Sequence, residues 1–242
     1  AAPTPSRPAA AQSKPREARV EKAAATRLRA ETLAKLKAEN TATKARPAVE
    51  GKEETGVQKA EAAYRKALAS LQDGWVSDAI TSLEQSLQAN PKHEAARQTL
   101  VSLLMENKRY DEAMRQLQAG LSADPRQPAL AMLLARLQIE RGGSGIETLT
   151  RTLPYASGNG EYHAFLAGAL QRQGRNSEAA SQYQAALRSA PQNGVWWMGL
   201  GIALQGDKRD GEALEAFRRA KANGLSPELQ SFVDRKIQQL AR

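Results

Sequence analysis

Gly74-Trp75-Val76-Ser77-Asp78-Ala79 is the stretch whose reading decides the fold, because the chain returns to it three more times. It recurs as Lys108-Arg109-Tyr110-Asp111-Glu112-Ala113, as Gly174-Arg175-Asn176-Ser177-Glu178-Ala179 and as Lys208-Arg209-Asp210-Gly211-Glu212-Ala213. The closing alanines, Ala79, Ala113, Ala179 and Ala213, stand 34, 66 and 34 residues apart. Pro91, Pro125 and Pro191 each follow an alanine by twelve residues. Leu83, Leu117, Tyr183 and Phe217 lie four residues past the alanines, a spacing that puts both on one helix face. Self-similarity at a fixed period of this length marks stacked units, none of which buries its apolar face alone. Two helical stretches flank a short polar break in each period, so each unit is expected to be an antiparallel helix pair. Proline ends the second helix because it cannot continue the hydrogen-bond ladder.

This pattern resembles the tetratricopeptide repeat from residue 60 to about 227, with units 60–93, 94–127, 128–159, 160–193 and 194–227. The resemblance implies an all-α solenoid. Ala67, Ala135, Ala167 and Gly201 hold the eighth position, where the two helices of a unit approach closely. Leu100, Leu134, Leu166 and Leu200 fill the space beside them at the seventh. Two units depart from the pattern. The third has Gly142-Gly143-Ser144-Gly145 at its turn, Glu147 where alanine is expected and Pro154 in its second helix, so that helix should be short. The first has Lys66 and Ser70 at usually apolar positions, as a terminal repeat with a wetter face would. After the fifth unit, Ser226-Pro227-Glu228 reads as a helix start: N-cap, first helical residue and a first-turn carboxylate. Leu229, Phe232, Val233, Ile237 and Leu240 continue at helical spacing, predicting a capping helix over 227–242.

Residues 1–59 read differently. They carry thirteen Lys+Arg against seven Asp+Glu and few large apolar side chains, too little surface to offset the entropy of ordering. Ala1 to Pro15 is Ala/Pro/Ser-rich and reads as an extended spacer. Residues 16–40 are rich in Ala, Glu, Lys, Arg and Leu without Gly or Pro, which predicts a helix with only a thin apolar stripe. A polar linker follows. An opening of Ala1-Ala2-Pro3-Thr4 without Met is what a segment cut from a longer chain shows.

The 242 residues contain no cysteine and two histidines seventy residues apart, a poor basis for a thiolate metal site, a zinc site or a histidine-centred triad. No catalytic residue, metal or cofactor is expected. No apolar run approaches the roughly 20 residues that span a bilayer. The glycines at 142–145 lack the Gly-Lys-Ser/Thr ending of a phosphate loop and follow a helix rather than a strand. Nucleic acid is not expected as a partner: the basic residues of 1–59 are interleaved with acids and nearly without aromatics, unlike a stacking groove.

Repeats of this kind chiefly bind proteins in a groove lined by the first helix of each unit. By repeat position that groove includes Tyr64, Gln98, Met105, Met132, Arg136, Gln171, Arg172, Met198 and Gln205. Mixed Met, Gln and Arg suit a peptide or helix. Positions five and nine lack the paired Lys and Asn with which some repeats grip a terminal carboxylate; only Arg136 brings charge there. In the block Trp196-Trp197-Met198-Gly199-Leu200-Gly201-Ile202-Ala203-Leu204, Trp197 holds the fourth position and is expected in the core. Trp196 points elsewhere: it packs on the preceding helix or serves as a binding hot spot.

That block, with Glu161-Tyr162-His163-Ala164-Phe165-Leu166-Ala167, Leu170-Gln171-Arg172-Gln173-Gly174-Arg175 and the terminal Gly224-Leu225-Ser226, resembles the MshN family of MSHA pilus biogenesis proteins. The resemblance covers roughly 60–242. It implies a non-catalytic scaffold in type IV pilus assembly, a periplasmic domain held by an inner-membrane helix that these residues lack. Its partners would be other pilus or secretion assembly proteins received in the groove, with no small-molecule substrate and membrane contact only through that anchor. A scaffold of another envelope machine, for secretion, polysaccharide or peptidoglycan, is the alternative. A basic-tail binder of nucleic acid or anionic surfaces ranks below both.

Overall fold

The computed structural model describes residues 55–241; the helix expected over 16–40 lies outside them. Among the described residues there are eleven α-helices, one 3-10 turn and no strand. In order they are α1 (Gly56–Gln72), α2 (Val76–Ala89), α3 (Glu94–Glu106), α4 (Tyr110–Ala123), α5 (Pro128–Glu140), α6 (Ile146–Thr152), α7 (Gly160–Arg172), α8 (Asn176–Ser189), α9 (Gly194–Gly206), α10 (Asp210–Ala222) and α11 (Pro227–Leu240), with the 3-10 turn Leu153–Tyr155 after α6. Packing divides the chain into two compact units, one ending at Gln116 and the other beginning at Leu117. None of these helices is long and apolar enough to cross a membrane.

Local chemistry explains the boundaries. Asn159 and Asn193 precede α7 and α9, and each side chain accepts the backbone N–H three residues on. Ser226 does the same for α11. Thr55 and Gln58 form a reciprocal capping box. The first helix therefore starts at Gly56, four residues before the repeat period places its unit. Each turn between paired helices needs one left-handed residue at the fifteenth repeat position. Gly74, Gly142 and Gly174 supply it freely, whereas Lys108 and Lys208 adopt φ of 58° and 60° there. In three units a turn arginine then grips a glutamate three residues on: Arg109–Glu112, Arg175–Glu178 and Arg209–Glu212, each bond 2.6 to 2.8 Å.

In the first unit the core is Ala60, Tyr64, Ala67, Ala79, Leu83, Leu100 and Leu104 among others. Ser86 is fully buried, and its hydroxyl donates to the Ala60 carbonyl at 2.7 Å, tying α2 to α1. Ser70, expected on a wet face, is also buried and donates to the Lys66 carbonyl within its own helix. In the second unit one apolar cluster runs from Ala131 to Val233. Phe217 is its largest wholly enclosed side chain after Tyr162. Burying such a ring contributes on the order of 2–3 kcal/mol.

The third repeat has the short second helix expected of it, but that helix starts in a different register. Five residues, 141–145, separate α5 from α6, against three in the other turns. The register of α6 is therefore late by two residues. Leu149, wholly buried, takes the place that Ala79, Ala113, Ala179 and Ala213 hold elsewhere, and Glu147 is a solvent-facing first-turn residue. Leu153-Pro154-Tyr155 tightens into the 3-10 turn, so α6 has only seven residues. Tyr162 anchors it from α7: its hydroxyl donates to the Leu149 carbonyl at 2.7 Å, and burial pushes the phenol up to about 12.

Candidate partner-binding face

Each compact unit presents its own part of the expected groove. In the first unit, Tyr64 is 4% exposed and its ring centre lies 5.0 Å from that of His93, so it is a packing residue and not an open contact. His93 is held from both sides. The Ala96 N–H donates to Nδ1 at 3.1 Å, which leaves the proton on Nε2 for Glu61 at 3.1 Å. Gln98 and Met105 are half-buried on α3. Arg97, one residue from the expected face, is buried. Its guanidinium donates to the carbonyls of Pro91 and Gln116 and to Gln116 Oε1. Burial lowers its pKa.

In the second unit, α7 packs between α5 and α9. On α5, Met132, Arg136 and Ile139 recur at i, i+4 and i+7, and on α9 Met198, Ile202 and Gln205 do so. The matching face of α7 carries Ala164, Gly168 and Gln171. Small residues on the middle helix between larger ones on both neighbours make a shallow trough. Met132, Ile139, Met198 and Ile202 rest on the core cluster but remain partly accessible, while Arg136 is exposed. The Arg136 guanidinium carbon stands 5.8 Å from the centre of the Phe165 ring, whose aromatic face holds the cation in place. Arg172 is exposed at the C-terminal end of α7.

Other expected contacts are already engaged. The Gln171 amide donates to the Gly199 carbonyl and its oxygen accepts from the Tyr183 hydroxyl, both at a long 3.4 Å. Gln205 Oε1 accepts from Lys236 Nζ at 2.9 Å, joining α9 to the capping helix. Trp196 is half-buried, and its ring edge lies where a side chain on Gly160 would have to go. Trp197 is not in the core. It is half-buried, its indole N–H donates to the Pro191 carbonyl at 2.7 Å, and the Arg219 guanidinium lies 4.9 Å from its ring centre. Trp197 and Arg97 hold the same repeat position and meet the same need, a donor for the carbonyl of the closing proline. Phe165 was missing from the expected face. Helical spacing alone gave no signal for it, because an exposed guanidinium such as that of Arg136 is already satisfied by water. Among the described residues no three His, Asp or Glu side chains converge as a metal site requires.

Residues 70–137 match a family model described as Tetratricopeptide repeat, and residues 166–227 match a second of the same description. Among curated proteins none matches the sequence. Among solved structures the chain is similar to MamA protein, at 16% identity and a TM-score of 0.56 over 69% of this chain and 92% of that one. A second MamA structure, AMB-1, gives 22% and 0.55 over 71% and 96%. YrrB, described as a TPR protein with an unusual peptide-binding site, gives 16% and 0.58 over 72% and 90%. At these identities the likeness speaks for the fold alone, an all-α repeat solenoid.

Proposed function

Starting from a chain built of tetratricopeptide repeats, a scaffold suited to protein–protein interaction, we propose that it serves type IV (MSHA-like) pilus biogenesis. In this reading it is the periplasmic part of an inner-membrane-anchored accessory protein, and it holds other assembly proteins without catalysing a reaction. The observation that carries the binding reading is the trough on α5, α7 and α9, where Met132, Ile139, Met198 and Ile202 stay partly accessible on a packed core. Adaptable methionines beside a ring-stacked arginine suit a peptide or helix with apolar anchors and a carboxylate. The pilus assignment is supported by the likeness of the Glu161–Ala167 and Trp196–Leu204 segments to the MshN family. The peptide-binding description of YrrB agrees with a groove as the working surface.

The test is capture of pilus assembly proteins by the intact chain and by a Met132→Ala, Arg136→Ala, Met198→Ala variant. Loss of capture in the variant, with helicity unchanged, supports the reading. Capture of secretion or peptidoglycan machinery instead would move the scaffold to another envelope assembly. Undiminished capture by the variant would remove the trough from the account.

A further inference from the structure

Two features remain unused by this reading, one on each compact unit. The first is Trp75. At its repeat position the other regular units have Arg109, Arg175 and Arg209, each gripping a glutamate. Tryptophan cannot make that grip with Asp78. Its side chain makes no capping bond at the start of α2 and is 62% exposed, with carboxylates at Asp73 and Asp78 on either side in sequence. Tryptophan presented this way is the residue type most enriched at interface anchors.

The second is a cleft of about 260 Å³ beside α6. It follows from the irregular third repeat: a helix that enters two residues late and ends after seven leaves parts of α4 and α5 uncovered. Leu121, Pro125 and Leu134 give the cleft an apolar lining, and Gln118, Gln138 and Thr148 a polar one. Glu147 and Arg151 line it too, and both also line a more open cleft of about 520 Å³ beside α6. The present partner of Arg151 is Glu147 at 3.1 Å, with the two side chains 67% and 89% exposed. So exposed a pair is worth little and is readily exchanged.

We propose that copies of this chain associate head to tail, the Trp75 turn of one copy seated in the cleft beside α6 of the next. The indole finds the apolar lining, and Asp73 and Asp78 take Arg151 over from the exposed Glu147, which turns away into solvent, a pairing that favours this orientation over its reverse. The surfaces are different patches, so the contact is heterologous: each copy keeps one free turn and one free cleft, and association continues with concentration.

Sedimentation velocity of the full chain from about 1 µM to about 1 mM tests this across the range of a weak contact. Mass should rise with concentration. Trp75→Ala should weaken association about tenfold or more, and so should Ser144→Trp, which fills the cleft from its own wall. Each variant alone should associate less than the parent chain with unchanged circular dichroism, yet the two mixed should form a one-to-one dimer at parental affinity, since one supplies the cleft and the other the turn. Asp73→Lys and Arg151→Glu should each weaken association and together restore it. A chain that stays monomeric throughout, or a Trp75→Ala chain that associates as before, overturns the proposal. Failure of the pilus reading would leave these outcomes unchanged, because no other protein takes part.

Discussion

Replacing Gly201 by alanine would place a methyl carbon 2.8 Å from Cδ1 and Cε1 of Phe217 and 3.0 Å from Cζ. Carbon atoms in contact prefer about 3.5–4.0 Å. The ring cannot retreat, because Phe217 is wholly buried in the cluster between α9, α10 and α11. Overpacking of this kind costs about 1–3 kcal/mol, and three sub-contact distances to a rigid ring place it in the upper part of that range. Removing a glycine from a helix interior returns up to about 1 kcal/mol. The expected net loss is about 1–2 kcal/mol. Gly168 on α7 is the control. A methyl there meets only the Tyr183 hydroxyl at 3.8 Å, so Gly168→Ala should keep the helix gain and stabilise by about 0.5–1 kcal/mol. Urea unfolding followed by circular dichroism reads both, with slopes compared to confirm that the same surface is exposed. Shrinking the ring in a Gly201→Ala, Phe217→Leu double variant should recover about 1 kcal/mol relative to the sum of the single changes. If Gly201→Ala stabilises as much as Gly168→Ala, the close approach of α9 and α10 is not the reason for glycine at that position.

Further expectations concern turns, a buried cation and a buried phenol. Lys108→Gly and Lys208→Gly relieve a left-handed conformation that costs a non-glycine residue about 1–2 kcal/mol; after the entropy cost of glycine, each should raise stability by about 0.5–1 kcal/mol in thermal unfolding. Arg97→Ala should destabilise the first compact unit by about 2–3 kcal/mol, since it strips donors from the Pro91 and Gln116 carbonyls; an unchanged urea midpoint would contradict this. Tyr162 ionises less readily in the folded chain than in the unfolded one, so its contribution is whole below pH 10 and is lost as pH rises from 10 through about 12. Stability measured across that interval should fall less steeply in Tyr162→Phe, after an initial loss of about 1 kcal/mol or more from the missing bond to Leu149.

Much of the fold could be read from the chain because the same physical problem is solved repeatedly along it. The alanines at the closest helix contacts, the large residues beside them and the prolines that stop each second helix occur at constant offsets, and the buried set includes Ala79, Ala113, Ala179, Ala213 and Phe217. In the third repeat the shortness of α6 was legible in Pro154, whereas its register was not, because the turn before it is two residues longer than in the other units. Its cause is tertiary: Gly145 has φ of 66° and is pressed so closely on α5 that a side chain would lie 2.8 Å from the Ala135 carbonyl. The start of α1 was legible as Thr55 followed by Gln58, but the period drew the boundary further on.

The binding face was readable in residue type more than in availability. Helical spacing places Met132, Arg136 and Met198 on accessible surface, yet says nothing of hydrogen bonds between distant segments. Gln205 is taken by Lys236, thirty-one residues away, and Tyr64 is enclosed with His93. Trp197 was expected in the core on position alone; the preceding proline carbonyl and Arg219 hold it at the edge instead.

The most direct test of the account is to put a photoreactive side chain in the trough. Ala164→benzoylphenylalanine lies on α7 between the ridges of α5 and α9, and Ser231→benzoylphenylalanine lies on the exposed side of α11. In cells that make this chain, illumination should join position 164, and not position 231, to a partner protein, and on the proposed reading that partner is a pilus assembly protein. Cross-links from 231 alone, or none from 164 while the chain still co-purifies with its partners, would contradict the trough as the surface through which this protein works.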